Sequence, residues 1–237
     1  MRAQENEIFD RWRNALPEDL RGNFVPDGVV DDENGNQNAY VRSNPKILFL
    51  LKEVNDPGPD GGGWDLREFL LQHGGRRQTW DNATRWLRGI KNLPNIMPWD
   101  QLEIVTEEQR YAELQNIVAM NLKKTPGGHV VNRGEFWQSV MRDQGFIREQ
   151  FNLYHADIVI CCGSDVAEAF SYVFGGENGL QWRSTTRGVR YYKYECGKFA
   201  ISFSHPAVRA SSNLVHYGLI DAVREIFHNA AWMQPAN

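Results

Sequence analysis

Short apolar segments alternate along the chain with longer segments in which apolar residues recur at helical spacing. Residues 46–52 and 157–162 form almost uninterrupted apolar runs, which are typical of strands covered on both faces of a sheet. Residues 189–194 and 198–203 predict two further strands near the carboxyl terminus. These four segments are the strand candidates from the apolar pattern alone.

The segments between the strand candidates carry the spacing of amphipathic helices. Ile8, Phe9, Trp12, Leu16 and Leu20 recur at this spacing and predict a first helix, interrupted near residue 17, which is a proline. Further helices are predicted at residues 65–72, 80–90, 107–118, 135–153 and 214–227, and another begins at residues 163–165. Residues 31–36 are polar and predict an exposed turn.

Strands that alternate with helices predict an α/β fold. We expect three layers, α/β/α, around a mostly parallel central sheet of about four strands. With 237 residues, 41% of them hydrophobic, the chain can bury a full core as one domain. Residues 1–44 are expected to form a helical or irregular amino-terminal extension, and residues 45–228 the α/β core.

Polar residues follow several of the predicted strands. In open α/β sheets, ligands bind beyond the carboxyl ends of the strands, where the following loops gather. The loops concerned carry Asn55-Asp56, residues 121–124, Gly163-Ser164 and His205-Pro206. We therefore expect the chemistry of the protein at this edge of the sheet.

Composition restricts the class of protein further. A formal net charge of −4 argues against indiscriminate coating of nucleic acid, although a local basic face remains possible. Cys161, Cys162 and Cys196 give neither a paired disulfide framework nor the spacing of a metal site. We therefore expect reduced thiols. The first residues are polar and no apolar segment has the length of a membrane span, so we expect a cytoplasmic protein without membrane contact.

Four motifs occur in an order that points to a known family. They are Val54-Asn55-Asp56-Pro57-Gly58 after the first strand, the apolar run 117–122 that contains Asn121, residues 158–163 followed by Ser164, and His205-Pro206-Ala207-Val208-Arg209. In this order they resemble the motifs of the uracil-DNA glycosylase superfamily, at a divergent level. The resemblance covers residues 46–227, and its specificity comes from order and spacing.

The resemblance implies a fold, a reaction and roles for single residues. It implies a uracil-DNA glycosylase-like protein that hydrolyses the N-glycosidic bond of uracil or another altered base in DNA, as a monomer and without cofactor or metal. Asp56 and His205 take the positions of the catalytic groups. Asn55, Phe69 and Asn121 take those of base-binding residues. Three cysteines are too few for the iron-sulfur cluster of some members.

Contacts to DNA are expected from residues around these motifs. Lys123 and Lys124 would attract phosphates, and Arg209, with Ser211 beside it, would fill the vacated stack or hold flanking phosphates. Ser164 is the remaining candidate for a DNA contact. The chain departs from the family pattern at Val54, where a glycine is expected, and at Ala207, where a serine is expected.

Each residue also has a structural interpretation. Asp56 can make an Asx-type turn, Asn121 can cap a helix, and Phe69 can belong to the core, with Trp64 as a competing stacking residue. Glu53 is a second carboxylate, interpreted as a solvated surface charge. A nucleic-acid or nucleotide binding module without turnover is therefore the alternative function. An unrelated hydrolase using Ser164 is a third, although the nucleophile-elbow pattern is missing.

Overall fold

The protein folds around one central sheet, as seen in a computed structural model that describes residues 1–30, 39–56, 61–127 and 132–228. The strands are β1 (Gly28–Val29), β2 (Ile47–Leu51), β3 (Ile117–Asn121), β4 (Ile158–Cys162), β5 (Arg183–Ser184), β6 (Arg190–Glu195) and β7 (Lys198–Phe203). The α-helices are α1 (Arg2–Ala15), α2 (Glu18–Arg21), α3 (Ala39–Arg42), α4 (Leu66–His73), α5 (Arg77–Lys91), α6 (Glu107–Leu114), α7 (Arg133–Tyr154), α8 (Ser164–Gly175) and α9 (Ser212–His228).

The sheet has seven strands within the described residues, in the order β1-β3-β2-β4-β7-β6-β5. The four central strands, β3, β2, β4 and β7, are parallel, and β1, β6 and β5 are antiparallel to their neighbours. The expectation of a mostly parallel sheet is therefore confirmed. The expected number of about four strands is wrong, because β1, β3 and β5 join the four strands that the apolar pattern predicts.

Helices cover both faces of the sheet. Successive residues of a strand point to opposite faces, so Leu48 and Leu50 of β2 pack with apolar residues of α1, α7 and α8. Ile47 and Phe49 of the same strand pack with apolar residues of α4, α5 and α9 on the other face. Because both faces are covered, the strands carry the continuous apolar runs that the sequence shows.

One predicted helix ends earlier than its periodicity suggests. The prediction extended it over residues 107–118, whereas α6 ends at Leu114 and β3 begins at Ile117. Its start is well defined, because Thr106 and Gln109 form a reciprocal capping box. The apolar residues 117 and 118 belong to the buried strand and not to the helix.

The amino-terminal residues are integrated into the core and do not form an extension. Phe9 and Trp12 of α1 are buried against α7 and the sheet, and β1 pairs with β3. The predicted turn at residues 31–36 lies outside the described residues. None of the helices in the described parts of the chain combines the length and apolar character that a membrane span requires.

Candidate functional site

A cavity of about 520 Å³ lies beyond the carboxyl ends of β2, β3 and β7. All five residues predicted for catalysis and base binding line this cavity: Asn55, Asp56, Phe69, Asn121 and His205. Its volume falls within the usual range for small-molecule sites. The structure thus brings together side chains from three loops that are far apart in the sequence.

The sheet explains why these loops meet. β2 and β3 are parallel neighbours in a register that pairs Leu51 with Asn121, so both strands end at the same level. Beyond the strands, the two loops stay in contact, since the Gly127 N–H donates to the Val54 carbonyl at 2.8 Å. From β2 the chain continues to β3 on one side of the sheet, and from β4 it continues to β7 on the other side. Open α/β sheets bind ligands at the carboxyl ends of the strands where the strand order reverses in this way.

Asn121 supplies the most unusual group of the cavity. The residue is only 2% exposed, yet its Nδ2 atom has no hydrogen-bond partner among the described residues. A buried amide donor without a partner costs about 1–3 kcal/mol, so a position of this kind calls for an explanation. A ligand that offers an acceptor at this point of the cavity would satisfy the donor.

His205 presents a defined donor to the same cavity. The backbone N–H of Ala207 donates to Nδ1 of His205 at 3.1 Å, so Nδ1 carries no proton and the neutral ring is protonated on Nε2. Although His205 is exposed at the cavity mouth, surrounding protein atoms exclude enough water to lower the pKa of its imidazole. Near neutral pH the ring is therefore an uncharged Nε2–H donor.

Asp56 supplies the carboxylate of the site. Its Oδ2 accepts hydrogen bonds from Nε1 of Trp64 at 2.9 Å and from the Gly62 N–H at 3.2 Å. Gly62 has φ of 104°, a conformation that favours glycine, so the turn that brings its N–H to the carboxylate requires this residue. The structure therefore shows a turn-forming role for Asp56 at the same time as its place in the cavity.

Phe69 and Trp64 form an aromatic wall. Both side chains line the cavity, and their ring centroids are 5.6 Å apart at an interplanar angle of 59°. Phe69 also contacts the ring of His73 on the next turn of α4. The two candidates for base stacking are thus neighbours, and one flat ligand can contact both.

The two lysines of the β3 loop are buried, which corrects their assignment to phosphate contacts. Nζ of Lys124 lies 2.6 Å from Oδ1 of Asp27 in the interior, and burial lowers the pKa of this lysine while Asp27 opposes the effect. Nζ of Lys123 lies 2.6 Å from Oε2 of Glu53, which is therefore not a solvated surface charge. Both ammonium groups support the loop and do not face solvent.

The other predicted DNA contacts lie outside the cavity lining. Ser164, Arg209 and Ser211 are exposed. Ser164 is the first residue of α8 and lies two positions after the end of β4. Pro57 and Gly58, the last residues of the first motif, lie outside the described residues.

Sequence reasoning missed a group of residues at the start of α5. Arg76, Gln78 and Thr79 line the cavity, and Arg77 lies beside Ser212 in a neighbouring depression. No side chain caps this helix. The sequence signal was the Gly74-Gly75 pair followed by two arginines, which marks a helix boundary with positive charge at its start.

Searches for related proteins give no family assignment. No protein-family model matches the chain, and no curated protein matches it. Among the described residues, no group of three or more His, Cys, Asp and Glu side chains is arranged to hold a metal ion.

Proposed function

We propose that the protein is a uracil-DNA glycosylase-like hydrolase, which cleaves the N-glycosidic bond of uracil or another altered base in DNA. One observation carries the proposal: Asn121, whose buried Nδ2 donor has no hydrogen-bond partner among the described residues, lines the same cavity as His205 and Asp56. The arrangement offers donors to a base and a carboxylate to the bond that is cleaved. We also propose that the fold is of the uracil-DNA glycosylase type and that the protein is cytoplasmic.

The chemistry follows from charge development in the transition state. When the N-glycosidic bond breaks, the sugar gains oxocarbenium character and the departing base gains negative charge. The carboxylate of Asp56 orients the attacking water and stabilises the sugar cation. The Nε2–H group of His205 donates to an oxygen of the departing base, and a neutral donor held in place needs no proton transfer to do so.

Recognition requires the base to leave the duplex. Unstacking a nucleotide costs a few kcal/mol and is easiest for mismatched or damaged bases. Phe69 and Trp64 provide the surface on which the extruded base stacks, and Nδ2 of Asn121 donates to its edge. The cations that face the phosphates are then Arg76, Arg77 and Arg209, which replace the buried lysines in this role.

One observation favours the second candidate, a nucleic-acid or nucleotide binding module without turnover. Oδ2 of Asp56 already accepts two hydrogen bonds from within the protein. These bonds tie the carboxylate to the Gly62–Trp64 turn and occupy one of its two oxygens. In the module, Asp56 holds the loop around the ligand and takes no part in chemistry.

A cleavage assay separates the two functions. Purified protein is incubated with oligonucleotides that contain uracil, hypoxanthine or xanthine, and alkali then converts abasic sites into strand breaks. The glycosylase gives breaks with wild type and none with Asp56→Asn or His205→Ala. The matched control is Asp100→Asn, an exposed aspartate outside the cavity lining, which should cleave like wild type.

The outcomes assign the function. Salt-sensitive binding of the oligonucleotides without any abasic product supports the module and contradicts the glycosylase. Failure to bind any oligonucleotide at low salt contradicts the glycosylase and a nucleic-acid binding module, and leaves only a module that binds free nucleotides.

A further inference from the structure

The peptide groups of Asn121 are held by two buried charged side chains. The backbone N–H of Asn121 donates to Oδ2 of Asp27 at 2.8 Å, and its carbonyl accepts from Nζ of Lys124 at 2.8 Å. Oδ1 of Asp27 and Nζ of Lys124 are 2.6 Å apart, so the three residues close a ring of hydrogen bonds. Asp27 is 0% and Lys124 2% exposed.

The side chain of Asn121 depends on this ring for its position. Its Nδ2 atom makes no hydrogen bond with a described residue that would fix the amide. The direction of the amide is therefore set by the backbone and by packing. The groups that fix the peptides on both sides of Asn121 therefore also help to fix the direction of its side-chain amide.

The ring continues through the interior to the helix that carries Phe69. Nε2 of Gln150 lies within 2.8 Å of Oδ1 of Asp27 and within 2.7 Å of the Tyr154 hydroxyl. The Tyr154 hydroxyl donates to Glu5 at 2.9 Å, and Glu5 in turn accepts from Arg67 of α4 at 2.7 Å. A continuous buried network thus links the peptide groups of Asn121 to α4, the helix that carries Phe69.

A buried ion pair is a poor source of stability, because desolvation cancels much of its attraction and apolar residues of equal size often serve as well. What such a pair can supply is one defined geometry. We infer that Asp27 and Lys124 are positioning residues, which hold the Asn121 peptide so that its side-chain amide points at the ligand of the cavity. This inference rests on the proposed function for the identity of that ligand.

The test removes the charges of Asp27 and Lys124 together and follows the NMR resonances of the Asn121 side-chain amide. In Asp27→Asn/Lys124→Met, no uncompensated charge remains in the interior, so the fold should persist. Protein labelled with ¹⁵N at asparagine gives the side-chain amide resonances of Asn121, assigned by their absence in Asn121→Leu. We expect them to be sharp in wild type and broadened or displaced in the double variant, without any ligand present.

Binding gives the second readout, with free uracil as the probe. We expect uracil to shift the Asn121 amide resonances of wild type, and the double variant to need about tenfold more uracil for half the shift, as for the loss of one well-placed hydrogen bond. The matched control is Asp81→Asn/Arg110→Met, which removes another largely buried ion pair, 2.8 Å long, between α5 and α6. It should change neither readout.

The outcomes distinguish the two proposals. Unchanged Asn121 resonances in a folded double variant would overturn the positioning role, whatever the protein binds. Resonances that move in the double variant, while uracil has no effect on wild type, would support positioning and count against the proposed ligand. If the double variant does not fold, Gln150→Met removes the hydrogen bonds of Gln150 to Asp27 and Tyr154 but keeps the Asp27–Lys124 pair, and a smaller displacement of the same resonances is expected. No displacement in folded Gln150→Met would overturn the positioning role.

Discussion

Trp64 donates a hydrogen bond from its indole Nε1 to Oδ2 of Asp56 at 2.9 Å. The Gly62 N–H binds the same oxygen, so two donors from one loop fix the plane of the carboxylate. A carboxylate that directs water must keep its orientation as the reaction proceeds. The indole is therefore a candidate for holding Asp56 in its working position as well as for stacking.

Replacing Trp64 by phenylalanine separates these two roles. Trp64→Phe keeps an aromatic face towards the ligand but removes the N–H donor. We expect kcat to fall about tenfold, with KM changed less than about threefold, because the bond matters for the orientation of Asp56 in the transition state. Steady-state kinetics on a uracil-containing oligonucleotide measure both constants. A rise in KM at unchanged kcat would instead assign Trp64 to stacking alone.

Two buried asparagines provide a matched comparison for the amide in the cavity. Nδ2 of Asn82 donates to the Pro206 carbonyl at 2.7 Å, and its Oδ1 accepts from Arg85 at 2.8 Å, whereas Nδ2 of Asn121 has no partner among the described residues. We expect Asn82→Leu to lower the free energy of unfolding by about 2 kcal/mol, since it leaves two buried groups unsatisfied. Asn121→Leu should leave it unchanged or raise it by up to about 1 kcal/mol.

The same substitution should abolish recognition. Asn121→Leu is predicted to lose base-specific binding while it folds at least as stably as wild type, as measured by urea unfolding and by oligonucleotide titration. A destabilised Asn121→Leu protein would contradict the view that this amide is reserved for a ligand.

The protonation of His205 predicts the pH dependence of cleavage. Exclusion of water lowers the pKa of His205 from its ordinary value of 6.5, so the neutral ring persists at pH values where a free imidazole is charged. Because the proposed donor is the neutral ring, cleavage should remain on its plateau as the pH falls through 6.5 and decline only below it. Protonation of Nδ1 would also break the bond from Ala207. The ¹⁵N shifts of the ring follow the tautomer, and a rise in cleavage on acidification would contradict this assignment.

Local patterns in the sequence predicted three of the four parallel strands, β2, β4 and β7, and the antiparallel β6, whereas the helical spacing of residues 107–118 extends over the start of β3. The apolar run at residues 46–52 is long enough to identify β2, and the helical spacing at residues 135–153 identifies α7. β1 and β5 each have two residues, which is too short for any periodicity. Their place in the sheet depends on pairing with distant segments, so the sequence could not predict the number of strands.

In the site, too, some features could be predicted from the sequence and others depend on contacts between distant segments. The ends of parallel strands meet by topology, so the neighbourhood of Asn121 and His205 could be predicted from the order of the elements. The burial of Lys124 could not, because its partner Asp27 lies almost a hundred positions away. A lysine beside a strand end is usually solvated. Only the fold shows that Asp27, the residue before β1, lies next to Lys124 in the loop after β3.

Because exposed arginines and not the buried lysines are proposed to contact phosphates, the variants should differ in how oligonucleotide binding depends on salt. Each lysine or arginine that neutralises a phosphate steepens the fall of log affinity with log salt by about one unit. Arg209→Gln and Arg76→Gln, at exposed positions near the cavity, should each weaken oligonucleotide binding and reduce the slope by about that amount. Lys123→Gln should not reduce it, since its ammonium group is already paired with Glu53. Equal slopes for Lys123→Gln and Arg209→Gln would contradict the assignment.

His216 of α9 predicts how the fold responds to acid. Its side chain is 1% exposed, and neither ring nitrogen has a hydrogen-bond partner among the described residues. Burial, with a smaller effect of Arg85 and Arg88, lowers the pKa of His216 to about 4, against 6.5 for an ordinary histidine. The unfolded chain thus binds this proton at a higher pH than the folded protein, so stability is lost as the pH falls from 6.5 towards about 4.

The loss is measurable by urea unfolding at two pH values. Between pH 7 and pH 5, this one group should lower the free energy of unfolding by about 2 kcal/mol, because the unfolded state is largely protonated at pH 5 and the folded state is not. His216→Leu fills the same apolar contact between α5 and α9 with a side chain that does not titrate, so its acid-induced loss should be smaller by that amount. Equal losses in wild type and His216→Leu would show that other groups account for the acid sensitivity.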